Sequence, residues 1–513
     1  MGNEKIKWTS EVEELIKGAP VFVQPMIRKL VENSARRDGM VEVTKKYVNE
    51  VREKSGMGRK INNETKLEEY YAIIGKNPLY AGFHTSNDLI HPGGSGEPIA
   101  VDGVWNKMQG ISERVSRRAL YIHIPFCVAR CKFCSFYQSR TNFKELSKYA
   151  EYIIKELRLV AESTVGQSMP IHALYFGGGT PTDLSAEDLE MILKYVNSCI
   201  PLANDCEITM EGRIHDFTDE KVLACLNNGV NRFSFGIQSF NTGIRQQMGR
   251  IDDQEFLLER IARIASYQKA MISVDLIYGL PDQTRKIWLE DLKTVKNAAG
   301  IDSVSIYSLK NLPGSPIKEM VSNRKLSPPA SITEQADLFT ITREYFADEN
   351  CKRLGLRHWA FSNRERSMYN FIPKYNNSCI PVGNGAGGRL AGYSIYQKMK
   401  NSEYFDMLDR GEKPIAAVFR ASPYAQFEGD IVGSFEEFRQ VNLHNLEIKY
   451  GDETIISRLS LLLDQWAKAG MVEWNNKTGV IRMTPAGEFY NVQITQNLIN
   501  YNAISLRTAR GKA

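Results

Sequence analysis

From Leu120 onward, apolar and polar positions repeat with two different periods in turn, and the switching predicts the architecture. Short stretches alternating with period two, Leu120–Phe126, Ile171–Phe176, Cys206–Met210, Arg232–Ile237, Ile272–Tyr278 and Ser303–Leu309, read as strands. Between them, apolar residues at helical spacing predict helices near Phe143–Ser163, Ala186–Cys199, Asp219–Asn228, Gln254–Lys269 and Arg285–Asn297. Ser185 with Asp188 makes a capping-box-like start for the second helix, and Gly229 a stop for the third. Repeated strand–helix units imply an α/β fold, a parallel sheet closed on one side by helices.

The flanks follow other patterns. Between Trp8 and about Lys54, Val12, Leu15 and Ile16, then Ile27, Leu30 and Val31, then Val43, Tyr47, Val48 and Val51 lie at helical spacing, which predicts a small helical unit. Asn77–Asp102, rich in Gly, Pro, Asn and His (including His84 and His91), lacks periodicity and reads as an irregular connector or a lid. Near the other end, Ile455, Leu459, Leu462, Leu463 and Trp466 form one helical face. A hairpin over Met471–Met483, with Asn475–Gly479 at its turn, and a helix to about Asn502 complete a winged-helix-like end. The expected segments are therefore a helical domain at 1–58, a linker or lid at 59–118, an α/β core at 119–310, an extension at 311–413 and a winged-helix-like domain at 414–513.

Composition narrows the function classes. Of 513 residues, 42% are hydrophobic and 24% charged, ordinary for a soluble globular chain. The start, Met1 to Lys7, has no apolar signal-peptide core, and no run of eighteen apolar residues appears, so the expectation is a cytoplasmic protein without a membrane partner. Net charge is +5, from 65 basic and 60 acidic residues without a long basic run, which argues against nucleic acid. For the winged-helix-like end, a substrate cover is favoured over a DNA reader.

Three of the eight cysteines fall within Cys127-Val-Ala-Arg-Cys131-Lys-Phe-Cys134, directly after the first strand. Three thiolates on one loop can bind three corners of an iron–sulfur cube and leave the fourth iron open to another chelator. A structural zinc site, usually completed by a fourth Cys or His, and three unrelated core cysteines are the alternatives. Cys199, Cys206, Cys225, Cys351 and Cys379 are scattered and do not form a secreted disulfide framework.

Other polar residues gather at strand ends. Gly177-Gly178-Gly179-Thr180-Pro181 follows the second strand, where absent Cβ atoms let backbone groups approach a ligand; a plain tight turn reads equally from those residues alone. Glu211 ends the third strand, Gln238 and Arg250 follow the fourth, and Asp275 lies in the fifth. Each taken singly suits a surface or structural role, but successive strand ends are where parallel barrels bind ligands.

The C-x3-C-x2-C spacing closely resembles that of the radical S-adenosylmethionine (SAM) enzymes, whose fold is a partial (β/α)6 barrel. In that family the amino and carboxylate groups of SAM occupy the open iron, and an electron from the cluster cleaves the sulfonium to a 5′-deoxyadenosyl radical. From about 119 to 505 the chain resembles the coproporphyrinogen-oxidase-like branch that degrades haem anaerobically, the anaerobilin synthase group. The resemblance rests on Phe136-Tyr137-Gln138 after Cys134, Glu211-Gly-Arg213, Asn231-Arg-Phe-Ser, Gly236-Ile-Gln-Ser-Phe240, His358-Trp359, Arg364-Glu-Arg366, Tyr369-Asn370 and Gly385-Ala-Gly-Gly388. True coproporphyrinogen oxidases carry a further cysteine where Phe136 stands, and the haem-chaperone relatives generally carry Asp where Ser135 stands. The N-terminal pattern, Trp8-Thr9, Pro20–Val23, Glu32, Ala35, Gly39 and Val43-Thr44, resembles the small helical domain of light-independent protochlorophyllide reductase subunits, with Gln24 where that family tends to carry Arg.

The resemblance implies a radical methyltransferase that opens haem to a linear tetrapyrrole and releases iron. It implies a [4Fe–4S] cluster on Cys127, Cys131 and Cys134, two molecules of SAM, and a low-potential electron donor such as flavodoxin or ferredoxin. It places Tyr121, Phe133, Gly178, Gly179, Thr180, Glu211, Gln238, Arg250, Asp275 and Ser308 around SAM, with Tyr121, Glu211 and Arg250 closest to the chemistry. His358, Trp359 and Tyr369 are the expected haem contacts, an imidazole for iron and an indole for the macrocycle. His123, within the first strand, is a lesser candidate. The other activities open to such a chain are coproporphyrinogen decarboxylation and haem carriage without turnover.

Overall fold

Alternation along the six predicted strands becomes a sheet with two chemically different faces. The computed structural model describes residues 6–17, 27, 28, 31, 32, 34, 35, 38, 40–54, 66–84, 96–134, 137–310 and 316–511. Gln24, Leu30, His91, Ser135 and Phe136, to which sequence expectations attach, lie outside the described residues. The chain divides into two compact units, Gly93–Lys310 with Met320–Val441, and Met1–Pro92 with Asn311–Glu319 and Asn442–Ala513.

In the larger unit, strands β1 (Arg118–Ile124), β2 (Ile171–Gly178), β3 (Leu202–Gly212), β4 (Arg232–Gln238), β5 (Met271–Tyr278) and β6 (Ser303–Ser308) lie side by side in chain order, each parallel to the next. Helices α1 (Phe143–Ala161), α2 (Ala186–Cys199), α3 (Asp219–Asn227), α4 (Gln254–Ala265) and α5 (Arg285–Asn297) connect them, close to the predicted bounds. Ser185 Oγ accepts from Asp188 N at 3.0 Å, the expected cap. Gly229, at φ +91°, takes the left-handed conformation that ends α3.

The sheet continues at both edges to thirteen strands. Beyond β6 runs the antiparallel β7 (His358–Ala360), and beyond that Lys352–Arg353. On the other side β8 (Ser378–Val382) pairs parallel with β1 and leads into β9 (Gly387–Leu390), β10 (Tyr393–Gln397), β11 (Ile415–Arg420) and Glu97–Ile99. Sequence periodicity does not find β8, because it is short, buried throughout and carries Pro381.

One face of the parallel strands carries Leu120, Ile122, Leu174, Phe176, Ile208, Met210, Phe233, Phe235, Ile272, Val274, Val304 and Ile306, all buried. Each such side chain contributes about 1.5–3 kcal/mol relative to exposure. Phe217 packs edge-on at 5.5 Å from Phe233, part of the cover over that face. The opposite face carries Tyr121, His123, Tyr175, Glu207, Thr209, Glu211, Arg232, Ser234, Ser273, Asp275, Ser303 and Ser305. A barrel interior this polar must satisfy its groups internally or with a ligand.

In the smaller unit Val12, Ile16, Val31, Ala35, Val43, Tyr47, Val48 and Val51 form one buried cluster, as the helical spacing predicts. Helix Ile455–Lys468 buries Ile455, Leu459, Leu462, Leu463 and Trp466, and the hairpin forms from Val472–Asn475 and Val480–Met483. The last helix runs past the expected end to Gly511. Part of the 59–118 segment lies along the first of these helices, with Trp466 Nε1 donating to Tyr70 O at 3.0 Å and Gln465 pairing both ways with Ala72.

Candidate functional site

The loop after β1 is held by main-chain bonds that leave its thiols in one place. Phe126–Cys127 pairs with Ser139–Arg140, Thr141 N donates to Cys127 O at 3.0 Å, and Lys132 N donates to Met248 O at 3.1 Å. Buried Asp183, which no motif singled out, accepts from Val128 N at 3.0 Å and from Thr141 Oγ1 at 2.8 Å. Cys127, Cys131 and Cys134 stand outside any disulfide, and burial raises the Cys127 thiol to about 11, so a proton must leave before it can ligate a metal. As they stand, no three His, Cys, Asp or Glu side chains among the described residues are close enough to hold a metal ion.

The glycine turn lies against this loop. Gly179 N donates to Ile124 O and Thr180 N to Phe126 O, both at 2.7 Å, and Thr180 Oγ1 is 3.3 Å from Cys127 Sγ. A Cβ on Gly178 would meet the His123 ring at 2.4 Å, and one on Gly179 would meet Phe126 O at 2.4 Å. Only glycine fits either position.

At the end of β4 the ladder to β5 slips between Asp275 and Leu276, and Gln238 adopts φ +73°. Bulges re-aim side chains, and a non-glycine residue in the left-handed region carries strain that its surroundings must hold. Gln238 folds back over Gly236, whose missing Cβ would lie 2.7 Å from Gln238 Nε2 and 3.4 Å from Arg250 Nη2. The Arg250 guanidinium stands 5.9 Å from the Phe133 ring centroid, between the cysteine loop and β4. Gln238 Oε1, Arg250 Nε, Arg213 Nε, Thr209 Oγ1 and Ser273 Oγ are buried without hydrogen-bond partners. Such groups clustered around one interior fit a polar, charged ligand supplied from outside the chain.

Two carboxylates face that interior. Burial, then the nearby Asp275 charge, raises Glu211 to about 8 against hydrogen bonds from Tyr175 and Gly178; burial raises Asp275 to about 6 against Arg232, Ser305, His358 and Arg250. Tyr175, absent from the sequence expectations, stacks on Tyr369 at 4.2 Å, and Tyr369 stacks on Tyr121 at 5.8 Å, forming an aromatic wall. Tyr121 OH is 2.8 Å from His123 Nδ1, and His123 Nε2 is 3.2 Å from Gln138 Oε1. Burial lowers His123 to about 4, so this imidazole is neutral. Ser308 ends β6 beside Tyr278.

The expected haem contacts do not lie together. His358 and Trp359 are consecutive residues of β7, so their side chains leave opposite faces of the sheet. Trp359 packs on Phe346 at 5.3 Å and under the Arg353 guanidinium at 5.0 Å. His358 turns to the polar interior, with Nδ1 2.9 Å from Ser305 Oγ and Nε2 3.3 Å from Glu365 Oε2, the latter too oblique for a hydrogen bond. One macrocycle therefore cannot meet the imidazole and the indole through this strand, which the sequence expectations did not contain. Tyr369 stays with the interior group.

Comparison with known proteins matches these observations. Residues 121–295 match the model of the radical SAM superfamily, and residues 8–52 that of the proto-chlorophyllide reductase 57 kD subunit. Anaerobilin synthase of Escherichia coli O157:H7 is 34% identical over 441 residues, 85% of this chain and 96% of that protein. A heme chaperone of Bacillus subtilis is 24% identical over 74% of this chain and 98% of that protein. The crystallised coproporphyrinogen III oxidase of Escherichia coli, a radical SAM enzyme, shares the fold with a TM-score of 0.67 at 20% identity, covering 79% of this chain and 93% of that one. Membership carries a [4Fe–4S] cluster and SAM with it, and the three loop thiols and the unpartnered polar interior suit that pair in donor chemistry. The chain belongs to the coproporphyrinogen-oxidase-like family of radical SAM enzymes, as a homologue of anaerobilin synthase.

Proposed function

We propose that this protein is a radical SAM methyltransferase that opens the haem macrocycle without oxygen and yields a linear tetrapyrrole with release of iron. The observation that carries the reading is the 34% identity to anaerobilin synthase across 96% of that protein. When bound, the cluster supplies an electron, one SAM supplies the radical and a second the one-carbon unit, the electron coming from a low-potential donor of the flavodoxin or ferredoxin kind.

The chain's own residues do the rest. Cys127, Cys131 and Cys134 hold the cluster as thiolates. The glycine turn at Gly178 and Gly179, with Thr180, packs closely against that loop and brings its main chain beside the thiols. Arg250 offers a guanidinium fork to a carboxylate, Gln238 and Glu211 offer polar partners to an ammonium group, and Asp275 accepts ribose hydroxyls. Tyr121, Tyr175 and Tyr369 form an aromatic wall on the same interior, and Phe133, near the Arg250 guanidinium, and Ser308, at the end of β6, complete the proposed site. Holding reactants in line while excluding water is what such a site contributes to a reaction whose chemistry belongs to its cofactors.

Anaerobic turnover of haem with methyl-labelled SAM and a low-potential reductant tests the reading. Label in an iron-free linear product is expected, with both 5′-deoxyadenosine and S-adenosylhomocysteine accumulating. Carbon dioxide released from a porphyrinogen without label transfer would make the protein a decarboxylating oxidase. Haem of unaltered mass would make it a carrier. Replacing Cys127, Cys131 or Cys134 by Ala is expected to lower iron content below four per chain and abolish SAM cleavage.

A further inference from the structure

We propose that His358 is a positioning residue for Asp275, acting through Ser305, and that it does not ligate haem iron. The proposal rests on the reading of Asp275 as part of the SAM site. Strand register carries it. Asp275 on β5 is level with Ser305 on β6, which is level with His358 on β7, so the three side chains form one row on the polar face. Ser305 Oγ lies 2.9 Å from His358 Nδ1, and its hydroxyl favours the charged form of the Asp275 carboxylate level with it on β5. A hydroxyl has one proton; given to Asp275, it leaves the oxygen to accept from Nδ1–H, which sets the orientation of all three groups.

Behind the imidazole lies a closed charge pair. Glu365 receives Arg232 Nη2 at 3.1 Å and Nε at 3.2 Å, Ser303 Oγ at 2.7 Å and Ser367 N at 2.5 Å, with His358 Nε2 at 3.3 Å. Arg232, Ser303, Ser305, His358 and Glu365 are all buried, whereas Asp275 is only half-buried. The row thus leads from a closed ion pair to a carboxylate that opens on the unpartnered interior groups. Backbone pairing of Ser303, Val304 and Ser305 with Ala360, Trp359 and His358 already holds β7 to β6, so the edge strand does not need the imidazole. Supporting partners of this kind orient a binding group and stiffen it, as metal sites do through their outer ligands.

The test measures SAM dissociation constants by equilibrium titration on cluster-loaded, iron-counted protein, beside haem titration followed at the Soret band. Asn at position 358 keeps a donor near Nδ1, and Gln keeps one near Nε2. His358→Ala, His358→Gln and Ser305→Ala are expected to weaken SAM roughly tenfold, His358→Asn to stay within about threefold of the native protein, and all four to bind haem unchanged. Asp275→Ala, the reference, should weaken SAM at least as much as His358→Ala. Native SAM affinity in His358→Ala beside a weakened Asp275→Ala overturns the positioning role alone, and native affinity in Asp275→Ala overturns the SAM-site reading beneath it. Loss of haem binding in His358→Ala restores the ligand reading. Equal weakening in His358→Asn and His358→Ala makes the residue a packing element only.

Discussion

Two buried carboxylates in the larger unit, Glu156 and Glu365, are each paired with a buried cation, yet they end differently. Glu156, on α1, accepts Lys413 Nζ at 2.5 Å, Gly383 N at 2.7 Å, Tyr404 OH at 2.6 Å and the Gln397 amide. Lys413 also donates to Pro381 O at 2.8 Å, and Tyr149 OH bridges Asn384 N to His123 O. These bonds tie α1 to the main chain around β8 and β1, so the cluster is a clamp, although Gln397 Oε1 and Asn384 Oδ1 within it stay buried without partners. Glu365 is as fully enclosed, but the next group beyond it is His358, in one row with Ser305 and Asp275 beside interior groups that have no partner. The first cluster ends on segments of the fold that it joins, the second beside a half-buried carboxylate on the polar interior.

The largest expected effect breaks the clamp. Lys413→Met leaves the Glu156 carboxylate buried without its cation and should cost about 3–5 kcal/mol in a urea unfolding midpoint, while adding Glu156→Leu should return most of that loss. A single variant as stable as the native chain would show that the clamp contributes nothing. Next, Arg250→Ala tests the polar interior. It should weaken SAM binding by about 1.5–3 kcal/mol, some 10–100-fold, and move the urea midpoint far less than Lys413→Met does. A large stability loss with native SAM affinity would place Arg250 with the clamp.

The third expectation uses pH. Glu211, raised to about 8, is protonated in most molecules at pH 7, and a cationic ligand needs its carboxylate. SAM affinity should therefore fall as pH is lowered below 8, by up to about tenfold per pH unit, and level off above it. Glu211→Gln should bind weakly without that slope; a slope that survives the substitution would assign it to another group. The smallest effect is at Cys199 and Cys351, half-buried and outside both clusters. Serine at either position should leave iron content and SAM affinity unchanged, and a loss of iron in either would redraw the ligand set.

Local pattern made much of this legible. The six parallel strands, their helices and caps, and the cysteine loop after β1 follow from side-chain period, capping residues and spacing, all read within a dozen or so neighbours. Alternation separates His358 from Trp359, but the three-residue β7 is too short to display that period in the sequence. Asp183 and Tyr175 carried no such signal, since an Asp after a glycine turn and a Tyr in a strand are common for ordinary reasons.

What the sequence determined by itself is the order of the parallel strands, the apolar face that they bury and the chemistry of the loop at their ends. Only the tertiary structure decided that β8 lies beside β1, that Tyr369 stacks on Tyr175 and Tyr121, and that Arg232 meets Glu365 across 133 residues. The reason is physical: an apolar residue at the right period is favourable against almost any core, whereas a buried charge is tolerable only beside its own partner. That partner is unknown until strand register brings distant segments level.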